Sequence, residues 1–360
     1  QKRATLCDLG HRRLGTRGHM ACQAFNRAGK AKQHTEFDLI CVAFGKGGTG
    51  KQGRHTNSCQ KTFHFYLPSW TLVLLQKLII RTAEEKPPFL PGKRPRTSSM
   101  LDSLRAALFC QHMILQGRPT HLYVLDYGLF RVHQNGRVIG IPGFLIRTDA
   151  GEAVLVDGGF PAKYARDPEA ASREDDLGAF GEVLRCGPEN RPEAQLALIG
   201  LAPQDITHCL LTHSHIDHIG ALDSFLHAPM ILAAAERALP KPLYWGDVQP
   251  MDWPARDYIT LVSDSPIGPD IQVLRTPGHT PGQISLLVTL PETGPVLIAS
   301  DALSRPAELD TDFSDATDPK RARQSAQRLG GLARDSAGMM IYGHCPHQWP
   351  RLRKAPHGYQ

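Results

Sequence analysis

Six consecutive residues, His213-Ser214-His215-Ile216-Asp217-His218, constrain this chain more than any other stretch. They follow the apolar run Ile206-Thr207-His208-Cys209-Leu210-Leu211, so three imidazoles and a carboxylate sit just past a predicted strand. Polar groups clustered this way are costly to bury unless something pairs with them. Imidazole nitrogen and carboxylate oxygen are the ligands that borderline divalent metals such as zinc accept. One cluster holds too many ligands for a single tetrahedral site and too few for two ions. The fold must bring others to it.

Three further residues occupy the same kind of position. His279 lies in Thr276-Pro-Gly-His-Thr-Pro-Gly282 after the run Ile271–Leu274, Asp301 ends Val296–Asp301, and His344 ends Met339–His344. Short apolar runs bounded by Gly and Pro read as buried strands, and open α/β sheets build their sites just past strand ends. Asp157, after Ala153-Val154-Leu155-Val156, obeys the same rule. His213 and His215 alternate along an extended segment and can point one way, so with His279 they could hold one ion. Asp217 and His218 diverge and with His344 could hold a second, with Asp301 bridging. Each ion keeps an open position, the mark of a catalytic site. Two ions sharing a water lower its pKa toward about 7, which is hydrolysis chemistry. Asp157 is expected behind the ligands, fixing a histidine tautomer. Among the other histidines, His208 reads as core, and His347 is the only rival ligand.

The chain is electrostatically divided. Residues 1–100 hold 18 Lys and Arg against 5 Asp and Glu, whereas the remainder holds 23 against 30. A polyanion is therefore not the expected partner of the metal-bearing part. Residues 1–112 read as a basic, disordered extension, with Met100 or Met113 as a candidate start, and 113–360 as the catalytic domain. The apolar patch Trp70–Ile80 is too short to span a bilayer. Gly45-Lys-Gly-Gly-Thr-Gly-Lys51 fits the phosphate-loop spacing, but Gln52 stands where Ser or Thr must hold magnesium, and a poor helix former follows. Eight cysteines without a C-x-x-C pair fit a reducing, cytoplasmic setting. Cys209 and Cys345 read as packed side chains.

Within 113–360, strands are predicted at 122–125, 143–147 and 153–157, with a hairpin turn at 148–152. Helical pieces are expected in 160–200, a helix from Asp217 on the spacing Ile219, Leu222, Phe225 and Leu226, another over 232–239, and a basic amphipathic helix over 319–334. The stretch 241–258 is a loop rich in aromatics.

The pattern His213-x-His215-x-Asp217-His218 with His279, Asp301 and His344 resembles the metallo-β-lactamase superfamily. That resemblance covers about residues 120–360. It implies an α+β fold, the αββα four-layer sandwich, with a dinuclear site between its sheets. Asp301, where broad-spectrum β-lactamases carry Cys, argues against antibiotic hydrolysis, and no helical domain of the glyoxalase II kind follows His344. The ending Gly343-His344…Gln348-Trp349…Leu352-Arg353-Lys354-Ala355-Pro356 and the opening Leu122-Tyr-Val-Leu-Asp-Tyr-Gly128 are similar to the N-acyl homoserine lactonases. The resemblance implies opening of a lactone ring by a hydroxide shared between two divalent ions, zinc first, with iron, manganese or cobalt as alternatives. It makes Asp217 and Asp301 the catalytic carboxylates. Ser304 stands where such lactonases place a tyrosine on the substrate carbonyl, and Tyr244 or Tyr258 is the expected substitute. The partner expected is a small lactone or ester, with no nucleic acid or membrane and a homodimer as the assembly to test. Hydrolysis of other esters, thioesters or phosphodiesters is the alternative activity.

Overall fold

The structure, a computed structural model, describes residues 113–360 and, apart from these, strands β1 (His34–Asp38) and β2 (His64–Pro68). β1 and β2 pair antiparallel, a pair the sequence does not announce, within a unit that ends at Arg94. The phosphate-loop look-alike, the 70–80 patch, Met100 and the rest of the predicted extension lie outside the described residues.

In the unit Pro95–Gln360, one sheet contains β3 (Pro119–Val132), β4 (Val138–Thr148), β5 (Ala153–Val156), β6 (Gly181–Arg185), β7 (His208–Leu210), β8 (Met230–Ala233) and β9 (Tyr258–Leu261). The second contains β10 (Ser265–Gly268), β11 (Ile271–Arg275), β12 (Ile284–Leu290), β13 (Gly294–Ser300) and β14 (Met339–Tyr342). β15 (Gly358–Tyr359) returns to the first sheet, whose order is β15-β3-β4-β5-β7-β8-β9 with β6 also on β3; the second runs β10-β11-β12-β13-β14.

The layering follows from strand alternation. Val154 and Val156 of β5 join Ile231, Val273, Leu286 and Ile298 in the core between the sheets, whereas Ala153 and Leu155 face the opposite side. All four residues are buried, so the strand reads as a continuous apolar run. On that outer side lie α1 (Ala162–Arg166), α2 (Pro168–Glu174) and α3 (Pro192–Ala197), with Tyr164, Ala171 and Leu196 in the core. On the outside of the second sheet, α5 (Pro319–Asp335) packs Ala326 and Leu329 on Leu274, Leu297 and Ala299. α4 (Ala234–Arg237) follows β8 directly. The result is the four-layer αββα sandwich.

Several elements depart from expectation. No helix follows Asp217; residues 216–228 form successive turns. Arg256 donates to the carbonyls of Leu222, Ser224, Phe225 and Ala228, and Arg191 to that of Gly220, so acceptors that a helix would use internally are taken. Phe225 also sits at φ 51, outside the helical region. Ile219, Leu222 and Phe225 are buried all the same. The predicted 232–239 helix shrinks to α4 because Leu232 and Ala233 continue β8, held parallel between β7 and β9. The strand from 122 extends to Val132, and β6, β10 and β12 have no counterpart among the predicted strands. α5 matches its amphipathic pattern, capped by Asp318, whose side chain accepts from Arg321 N with Pro319 in the first turn.

Candidate metal centre

The ligand candidates enter the site from strand ends. β5, β7 and β8 are mutually parallel, as are β13 and β14. Asp157 follows β5, the 213–218 cluster follows β7, Asp301 follows β13 and His344 follows β14, all at the carboxyl ends. His279 follows β11 on a loop held against α5: Asp318 N and Thr317 N donate to the carbonyls of Gly278 and His279. Gly278 has φ 140, and a Cβ there would lie 2.1 Å from Ala322 N, so this approach needs glycine.

All seven expected ligands converge. His213, His215 and His279 form one set whose donor atoms lie within 4.8 Å of one another; Asp217, His218 and His344 form another; His213, His218 and Asp301 form a third. Asp301 joins the first two. Its Oδ2 lies 3.4 Å from His279 Nε2 and 3.8 Å from His213 Nε2, while Oδ1 lies 3.2 Å from His344 Nε2 and 3.6 Å from His218 Nε2. Asp217 Oδ2 is 3.3 Å from His344 Nε2.

The imidazoles are oriented from behind. Asp157 Oδ1 accepts from Thr212 N at 2.8 Å, and Oδ2 accepts from Thr212 Oγ1 and His218 Nδ1, each at 2.8 Å. Because the Thr212 proton goes to Asp157, its lone pairs accept from Ser300 Oγ at 2.9 Å and His213 Nδ1 at 3.2 Å. His344 Nδ1 donates to the Gly140 carbonyl at 2.9 Å. In the neutral ring, each of these bonds places the proton on Nδ1 and leaves Nε2 as the lone pair facing the cluster. Thr212, Ser300 and Gly140 carry no motif, so sequence reading misses them. Adjacency is the only signal: Thr212 precedes His213 and Ser300 precedes Asp301.

Three atoms in the centre test the fit to a metal. His213 Nε2, His218 Nε2 and Asp301 Oδ1 are buried without a hydrogen-bond partner. Buried polar atoms are rarely left so, and a divalent cation with nitrogen and oxygen ligands satisfies all three. The electrostatics agree. Burial lowers the pKa of His213, His215 and His279, the last to about 4, so these rings are neutral and able to ligate. Burial also opposes charge on His218 and His344, but the surrounding carboxylates (Asp217, Asp157 and Asp301 around the first, Asp301 and Asp217 around the second) outweigh it and raise both. Although burial alone would raise it, Asp217 is lowered to about 2 by His218 and His344. A site that retains protons against burial is one in which positive charge is favourable.

The substrate-facing expectations fare differently. Tyr244 is 1% exposed and its hydroxyl donates to Asp175 at 2.7 Å. Its backbone instead brackets His215: Tyr244 N donates to Ser214 O, and Ile216 N to Tyr244 O. The Tyr258 hydroxyl donates to the Pro254 carbonyl and its ring lies under the Arg237 guanidinium, both within 237–258. Ser304 is half-buried; its N donates to Glu308 and its carbonyl accepts from His344 N, so its backbone helps seat a ligand. His347 is in none of the three ligand sets. Cys209 and Cys345 are buried.

A sequence profile described as the metallo-beta-lactamase superfamily matches residues 138–344. The chain belongs to that superfamily. Within it, an N-acyl homoserine lactonase of a Bacillus species is 30% identical over 219 residues, covering 58% of this chain and 83% of the relative. The N-acyl homoserine lactonase of Bacillus thuringiensis is 29% identical over 231 residues, covering 61% and 88%. The solved structure of an N-acyl homoserine lactone hydrolase, with the product N-hexanoyl-L-homoserine bound at its catalytic metal center, superposes with a TM-score of 0.59. At 24% identity it covers 67% of this chain and 100% of that one, and shows the shared fold. This superfamily member is a metal-dependent hydrolase. Among its described residues no helix is long and apolar enough to cross a membrane.

Proposed function

We infer that this chain hydrolyses N-acyl homoserine lactones, with His213, His215, Asp217, His218, His279, Asp301 and His344 as ligands of two divalent ions, zinc first. The observation that carries this is the placement of Asp301, one carboxylate oxygen toward each histidine set. Ions held there supply Lewis acidity for a carbonyl and a water whose pKa falls toward about 7.

The chain's own groups do the rest. Neutral His213, His215 and His279 hold one side of the site, and Asp217, His218 and His344 the other. Asp217, kept ionised, receives the attacking water's proton and passes it to the ring oxygen as the lactone C–O bond breaks. Asp157, through His218 and Thr212, keeps the ligand rings from turning. The acyl chain lies against an apolar wall where the 160–200 segment meets the aromatic loop: the Phe180 and Trp245 rings are 4.7 Å apart, and Phe180 is 39% exposed. Ser304 carries only a short hydroxyl, so carbonyl activation falls mainly on the metal site.

The test is a substrate panel of acyl homoserine lactones, simple esters, a thioester and a phosphodiester, run with and without chelator. Lactone opening that is lost on metal removal and restored by added zinc is expected. Full turnover after complete metal removal sinks the mechanism, and preference for the thioester or phosphodiester moves the substrate class.

A further inference from the structure

Glu236 is wholly buried, yet it is absent from the ligand sets and from the mechanism above. It stands in α4, immediately past β8, where it reaches two loops at once. Oε1 accepts from Ser214 N at 2.8 Å and Ser214 Oγ at 2.6 Å. Oε2 accepts from Thr280 Oγ1 at 2.9 Å and Gly282 N at 3.0 Å. A carboxylate is an acceptor with about four lone-pair sites, and here four donors fill them. One oxygen therefore grips the residue between His213 and His215, and the other grips the loop just past His279. The packing is tight as well as bonded: a Cβ on Gly282 would lie 2.3 Å from Glu236 N.

We propose that Glu236 is the positioning residue of the His213–His215–His279 set, a buried strap that sets the distance between the two loops supplying its ligands. The other set has no part in this strap: His218 is seated by Asp157 and His344 by the Gly140 carbonyl. Hydrogen-bond partners behind metal ligands typically control affinity by about tenfold to a hundredfold. The strap should therefore act on one ion and spare its neighbour. Glutamine in its place keeps the shape but turns an NH2 toward a pair of donors, so one loop loses its grip.

The proposal rests on the two-ion reading, and the experiment separates them. Zinc alone is titrated into metal-free protein against a chromophoric chelator, for wild type, Glu236→Gln and His215→Ala. Expected are two ions in wild type and one weakened about tenfold to a hundredfold in Glu236→Gln, the same ion that His215→Ala loses. Wild-type affinities in Glu236→Gln, even with a lowered Tm, overturn the strap, as does equal weakening of both ions. Wild-type protein that takes up no zinc overturns the site reading itself. If Glu236→Gln does not fold, Thr280→Val removes one donor from Oε2 alone. The same ion must weaken there, by less, and unchanged affinities overturn the proposal.

Discussion

The two ligand sets lie side by side, share Asp301, and solve the burial of histidine in opposite ways. In the His213–His215–His279 set, Asp301 and, for His215 and His279, Asp217 favour charge, but desolvation prevails and lowers all three rings. In the Asp217–His218–His344 set, Asp157 and Asp217 add to Asp301, and two rings are driven toward the protonated form. The supports differ in the same sense. The first set is strapped loop to loop through Glu236, whereas the second is pinned ring by ring. One kind of ligand thus yields two environments, because carboxylates in close contact with the ring, Asp157 on His218 and Asp217 with Asp301 on His344, offset the desolvation that prevails elsewhere.

The most severe way to break this asymmetry is to remove what the halves share. Asp301→Asn should weaken both ions and lower kcat/KM by more than the roughly 100-fold typical of groups behind the ligands. Zinc stoichiometry with lactone turnover checks this, and an intact second ion would show that Asp301 does not bridge. Asp157→Asn should cost about tenfold to a hundredfold in zinc affinity, mostly at the His218 half. Equal loss at both ions would mean that Thr212 transmits as much to His213 as Asp157 gives directly to His218.

Acid should separate the halves in the metal-free protein. His279 has a folded pKa of about 4 against an ordinary 6.5, so the unfolded chain takes up its proton first. Its contribution to stability is present above pH 6.5 and is lost as pH falls toward 4. His218 and His344 are raised, so their contribution is present below 6.5 and lost as pH climbs through the higher folded value. Tm measured against pH after chelation should fall less between about 6.5 and 4 in His279→Ala than in wild type. An unchanged acid limb would remove His279 as its cause. The smallest effect belongs to Tyr244→Phe. Losing its bond to buried Asp175 should cost about 1–3 kcal/mol in urea unfolding. Both zinc affinities should stay within about twofold, and a larger change would return Tyr244 to the site.

Much of the site is legible in the residues themselves. The 213–218 cluster and the strand-end positions of Asp157, His279, Asp301 and His344 point to it because few-residue motifs keep their meaning wherever the backbone runs. The turns at 216–228 are not legible: Ile219, Leu222 and Phe225 have helical spacing and are buried, but Arg256, more than 25 residues on, takes the carbonyls of this stretch. Tyr244 reads as a substrate contact because nothing near it points to Asp175, which lies 69 residues earlier. Glu236 reads as an ordinary helical residue, since nothing local indicates that a glutamate will be fully buried.

By itself the sequence determined which side chains could meet a metal and that they would stand at strand ends, because ligand chemistry and strand periodicity are local properties. Only the tertiary structure decided how those side chains divide, which rings keep their protons and which loops are tied together. Those outcomes depend on charges and donors brought within about 3 to 4 Å from segments up to 204 residues apart, and no local pattern records that distance.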